Sequence, residues 1–129
     1  MELDTDRDTE NFFSNSKPLL KLSDKEKSKG FEELKKIGLS KNDKFICLMN
    51  RDSSYLAKTY PGVDWSFHNY RDSKIDNYLL AAETLTKRGY FVFRMGTITK
   101  KKIETNNKKI IDYANSEFKS EFLDFFLLE

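Results

Sequence analysis

The sequence has one cysteine, two prolines and five glycines in 129 residues, and these scarcities remove whole classes of protein. A single cysteine excludes a disulfide-stapled scaffold, and with only one histidine there is no His/Cys cluster of zinc-site spacing. Lysine and arginine (23) nearly balance aspartate and glutamate (21), so the formal charge of +2 supplies no global field for a polyanion, and no nucleic-acid partner is expected. Apolar runs such as residues 45–49 and 125–128 fall far short of the roughly 20 residues that span a bilayer. Residues 1–10 are acidic where a signal peptide would be basic and then apolar, so the expected location is the cytoplasm. Also missing are GxGxxG after a strand, GxxxxGK[ST] and HExxH, which leaves a dinucleotide fold, a Walker ATP site and a zinc protease without their signatures. No metal and no cofactor are expected.

What is present is enough for one core: 38% hydrophobic residues, including eleven Phe and six Tyr. Residues 1–22 have no clear period and read as an extended arm ending beyond Pro18. From there the pattern sharpens. Ser23 and Glu26 have capping-box spacing, Phe31, Leu34 and Ile37 recur along one face, and Gly38 can take the left-handed conformation that closes a helix, so the spacing predicts a helix over 24–37. Phe45-Ile-Cys-Leu-Met49 reads as a short strand covered on both faces, within which Cys47 is a buried reduced thiol. Residues 50–72 read as a long loop. A second helix follows, with Ser73 and Asp76 as its capping signal and Gly89 as its stop, and then a strand at Tyr90-Phe-Val-Phe93. After a lysine- and asparagine-rich turn at 99–109, read as a solvated turn, come a third strand at 110–113 and a final helix at 120–128. That helix is apolar nearly all round and needs cover on several sides, which suggests self-association or docking through it, or truncation of the chain.

Repeated helix–glycine–strand units predict an α/β subdomain over 23–129, a partial Rossmann-like parallel sheet with flanking helices. Open parallel sheets bind ligands outside the carboxyl ends of their strands. Arg51 and Arg94 stand at two such ends. They can converge on one anion through their planar donor forks, or each can cap its strand and pair with a nearby aspartate. Residues 64–73 carry the only Trp, the only His and an Arg-Asp pair, a composition suited to a binding loop. His68 there can act as a base or hold a phosphate, or simply bond a loop carbonyl.

Four blocks, Asn50-Arg-Asp-Ser-Ser-Tyr-Leu56, Tyr70-Arg-Asp-Ser-Lys-Ile-Asp-Asn-Tyr78, Lys87-Arg-Gly-Tyr-Phe-Val-Phe-Arg-Met-Gly96 and Lys109-Ile-Ile-Asp-Tyr-Ala-Asn115 with Ser120-Glu-Phe-Leu-Asp124, resemble a family of bacterial glycosyltransferases of surface-polysaccharide and lipopolysaccharide loci. The YRDSxIDNY and GYxVxRMG patterns are the distinctive ones, and the match runs in order from about Leu22 to the C-terminus. Members of that family continue past the position of Leu128 into another strand and a glycine-serine loop, so the resemblance implies that this chain covers part of a donor-binding half of GT-B type. It implies a nucleotide-sugar donor as substrate and a glycan or lipid-linked glycan as acceptor. Arg51 would hold the donor diphosphate, with Arg94 as a second anion contact or a support for the first, and Arg71 or His68 in the loop that closes over the donor. Asp52 and Asp72 would orient these arginines or activate the acceptor hydroxyl, which leaves Asp52, His68 and Asp72 as catalytic candidates, with Ser53, Tyr70, Ser73, Asn77 and Gly96 in support. A looser similarity to fucosyltransferase-like enzymes also matches Arg51, although Met49 stands where those enzymes place a histidine. Two alternatives remain, a non-catalytic α/β interaction module or inactive truncated fragment, and a polyanion binder using the lysines at 100–109, the latter recognisable by strong salt dependence.

Overall fold

The computed structural model describes residues 11–17 and 21–129. The arm expected at 1–22 therefore lies largely outside the described residues, apart from a short helix, α1 (Phe12–Asn15), and Leu22, which is buried.

Helix α2 (Asp24–Ile37) has the boundaries its capping signals require. The Ser23 hydroxyl accepts from the Glu26 amide while Glu26 Oε2 accepts from the Ser23 amide, and Gly38, at φ 104°, donates to the Leu34 and Lys35 carbonyls. Three parallel strands follow: β1 (Lys44–Met49), β2 (Tyr90–Met95) and β3 (Ile110–Ile111), in the order β1-β2-β3. The register runs from Lys44 opposite Tyr90 to Met49 opposite Met95, with Val92 opposite Ile110 on the other side.

Alternation along the strands builds two cores. Phe45, Cys47, Phe91, Phe93, Met95 and Ile111 point to one face, where Leu34 of α2 and Leu123, Phe126 and Leu127 of α5 (Glu121–Leu128) cover them. Leu48, Val92 and Ile110 point to the other, under Ala82 and Leu85 of α4 (Leu79–Lys87). The chain is thus an α/β sandwich of three layers with an open parallel sheet and flanking helices.

Several expectations change. The strand covered on both faces is β2, whereas β1 lies at the sheet edge and is half-buried. Residues 50–72 are not a bare loop: they contain α3 (Ser54–Thr59) and a 3-10 turn at Ser66–Arg71. No residue of α3 is buried, so it carries no amphipathic period to detect. The second helix begins at Leu79 after a 3-10 turn at Ile75–Tyr78, and no side chain caps either element, so Ser73 and Asp76 are not a cap. β3 stops at Ile111, because Tyr113 turns into a 3-10 segment and inserts its ring, fully buried, beneath Phe93. The last helix finds its cover within the chain: Leu123, Phe126 and Leu127 are buried, leaving Phe125 and Leu128 as its exposed apolar residues.

Candidate functional site

A cleft of about 880 Å³ opens at the carboxyl edge of the sheet. Its walls come from three connections: Asp52 and Ser53 after β1, residues 72–77 before α4, and Lys100 and Lys101 after β2. Sequence-distant segments meet there because parallel strands bring their carboxyl ends to one side.

Beneath the cleft lies a buried charge network. Arg94 is 1% exposed, and its Nη1 donates to Asp112 Oδ1 (3.1 Å) and to the Lys101 carbonyl (3.4 Å), while Nη2 stands 3.9 Å from Asp52 Oδ2. Asp52 accepts from the Ser54 amide through Oδ1 and from the Lys100 amide through Oδ2, both at 2.9 Å. Asp112 Oδ2 accepts from the Ile103 amide (2.9 Å) and from Asn115 Nδ2 (2.8 Å). The backbone of residues 100–103 is therefore suspended from Arg94 and its two carboxylates. Burial pushes the Asp52 carboxyl up, but the amides of Lys100 and Ser54, the Ser54 hydroxyl and Arg94 together hold it below its ordinary 3.8.

The opposite wall is built on Asn50, whose Nδ2 donates to the Ser73 carbonyl (2.7 Å) and to Ser73 Oγ (3.1 Å). Tyr78 donates its hydroxyl to the same Oγ at 3.1 Å, and the Ser73 amide donates to the Arg51 carbonyl (2.9 Å). With two donors on its oxygen, the Ser73 hydroxyl retains its own proton for a group in the cleft.

The three carboxylates of the lining are each matched by a cation. Asp52 faces Arg94, Asp72 Oδ1 stands 3.4 Å from Arg51 Nε, and Asp76 is gripped by Lys101 Nζ at 3.0 Å. That leaves the exposed side chains of Lys74 and Lys100, neither of which has a charged partner among the described residues. The lining balances three aspartates against three lysines; with Asp72 paired to Arg51, Asp76 to Lys101, and Asp52 sharing Arg94 with Asp112, its two unpaired charges are the ammonium groups of Lys74 and Lys100, on the same lining as Ser73. Such a set can hold a phosphate or diphosphate.

Of the residues expected from sequence, Asp52, Ser53, Asp72, Ser73 and Asn77 line the cleft, and Arg51, His68, Tyr70, Arg71, Arg94 and Gly96 do not. Arg94 lies below the site as a support, and Arg51 is engaged at its margin, so the two do not converge on an open anion position. His68 and Arg71 belong to the 3-10 turn at Ser66–Arg71, where an Arg71 guanidinium nitrogen contacts His68 Nδ1. Desolvation, Arg71 and Arg51 lower the His68 pKa, opposed by Asp72. The ring stacks on Trp65 at 5.9 Å and packs against Phe67 at 4.1 Å.

Asp72 differs from the other candidate bases. Asp52 accepts a backbone amide on each oxygen and His68 offers Nδ1 to Arg71, whereas Asp72 turns a buried Oδ1 to Arg51, an ion pair without hydrogen-bond geometry, and its Oδ2 is the oxygen left for a group in the cleft. Lys74 was not among the expected site residues and Lys100 entered only through the polyanion alternative, and the turn containing Lys100 and Lys101 is a wall of the cleft, not a wholly solvated segment. The Lys100 amide bond to Asp52, 48 residues away, and the Lys101 ion pair with Asp76, 25 residues away, reveal this. Among the described residues no cluster of three His, Cys, Asp or Glu is placed to hold a metal ion, and no helix is long and apolar enough to cross a membrane. No family model, curated protein or solved structure matches the chain.

Proposed function

We propose that this chain forms the donor-binding part of a cytoplasmic glycosyltransferase, a Rossmann-like unit of GT-B type that passes a sugar from a nucleotide-sugar to a surface-polysaccharide or lipopolysaccharide acceptor. One observation carries the reading. The blocks of the resemblance, far apart in sequence, contribute to one cleft: the first supplies Asp52 and Ser53, the second residues 72–77, and the third Arg94 beneath them.

In this reading Lys74, Lys100 and the Ser73 hydroxyl neutralise the donor diphosphate, while Arg51 keeps Asp72 in place. The acceptor hydroxyl oxygen bonds to the anomeric carbon as the bond from that carbon to the phosphate oxygen breaks. The nucleoside diphosphate departs with the bonding pair, and the acceptor proton passes to Asp72. Charge neutralisation at the leaving group is the dominant contribution expected of such a site.

The test is thermal unfolding of the chain with a panel of nucleoside diphosphates. A ligand present at 100 times its Kd and bound only to the folded state adds about 2.7 kcal/mol. One nucleotide is expected to raise the Tm of the native chain, and Lys100→Ala to remove that rise. If no nucleotide shifts a cooperatively folded chain, the donor site is refuted. A second reading, a non-catalytic α/β interaction module, is favoured by the exposed aromatic rings of Tyr60, Phe67 and Tyr70, and it predicts the flat result.

A further inference from the structure

We infer that the free edge of β1 is a self-association surface, on which β1 of a second copy adds antiparallel across a two-fold axis, joining two three-stranded sheets into one. Among the described residues β1 pairs with β2 alone, and the backbone groups on its other side have no partner. An unpaired edge is normally blunted by charge, proline or a bulge. The interior of β1, Phe45-Ile-Cys-Leu, has none of these, and Met49 at its end is 68% exposed.

The occupant follows from the sequence of the edge itself. Directly opposed residues of an antiparallel pair share a face, so a two-fold axis must pass through one residue and match positions of equal parity. With Cys47 on the axis, Phe45 opposes Met49, Ile46 opposes Leu48 and Cys47 opposes its own copy. Just beyond the strand, Asp43 of each copy then falls opposite Arg51 of the other. Moving the axis to Ile46 sets Lys44 against Leu48 and Asp43 against Met49. Moving it to Leu48 sets Phe45 against Arg51 and Ile46 against Asn50. This register alone joins apolar to apolar inside the strand and sets Lys44 against Asn50 and Asp43 against Arg51 at its ends, where Asp43 also accepts from Ser40 and Arg51 also faces Asp72, and self-complementarity of this kind fits a second copy of the same strand.

The pairing is independent of any donor chemistry. It is tested by sedimentation of the full chain at about 100 μM, where a micromolar Kd gives nearly complete association. A dimer is expected, with Met49→Lys weakening it by about tenfold or more through the loss of two apolar pairs. In the inferred register the Cys47 Cα atoms stand about 4.5–5.5 Å apart, within disulfide reach once each Sγ, which donates to the Leu127 carbonyl of α5 at 3.2 Å, turns away from that bond. Diamide, reduced as it takes two electrons and two protons from the thiol pair, is therefore expected to link native dimers through Cys47 and to link Met49→Lys far less. A monomer at this concentration overturns the inference. So does a dimer that Met49→Lys leaves intact and diamide does not link through Cys47, since another surface, such as the aromatic turn at Ser66–Arg71, would then hold it.

Discussion

Arg94 has the most demanding environment of any single residue. A guanidinium 1% exposed is tolerated because two carboxylates and a carbonyl meet it, although its Nε remains without a partner. Replacing Arg94 by Met strands Asp52 and Asp112 in a part-buried site, and breaking one partner of such a pair costs about 3–5 kcal/mol, to be read as a lower urea midpoint at unchanged m-value. Asp72→Asn has a different expected outcome. It preserves the shape of the lining and the nucleotide-induced rise in Tm, but lowers donor turnover by about 10²–10⁴, the usual contribution of general base catalysis. Loss of the nucleotide response in that variant would instead mark Asp72 as a binding group. His68, the only histidine, gives an isolated NMR titration. Its midpoint is expected below 6.5, because desolvation, Arg71 and Arg51 disfavour the imidazolium, and Arg71→Ala is expected to move it upward.

At the scale of elements, α2 and α5 meet at Gly30, which is buried against the Phe126 ring, and the Phe31 ring meets Phe126 edge-on at 5.5 Å. A Cβ at position 30 would enter the volume of that ring. Alanine there gains about 1 kcal/mol of helix propensity, yet overpacking costs about 1–3 kcal/mol, and Phe126 has little room to move inside the core. Gly30→Ala is therefore expected to lower stability in thermal unfolding, the reverse of its effect in an isolated helix. The cap of α2 was legible in sequence because Ser23, Glu26 and Gly38 act within their own turns. The start of α4 was not, because Ser73 is drawn away from the helix by Asn50, 23 residues earlier, and by Tyr78.

For the whole molecule, acid is the natural test of the charge network. A carboxyl whose folded pKa is depressed binds fewer protons than in the unfolded chain, so stability rises with pH across that range. The contribution of Asp52 is complete above its ordinary 3.8 and is lost as pH falls below that value through its folded pKa. A Tm series between pH 7 and pH 3 should fall at its acid end, and Asp52→Asn should flatten that fall, while starting from a lower Tm. A steeper acid fall in the variant would contradict the assignment. The sequence by itself determined the alternation of helices and strands, the α2 caps and the gathering of polar and charged residues just past the strand ends, because periodicity, capping and turn signals act over a few residues. It could not rank β1 against β2, since both are short apolar runs and only strand order makes one an edge and the other the centre. Nor could it show that Arg94 is buried or that Lys100 faces a cleft. Those outcomes depend on Asp112 and Asp52, 18 and 48 residues along the chain from Arg94 and Lys100 respectively, and such distant partners meet only when the sheet has brought its carboxyl edge together.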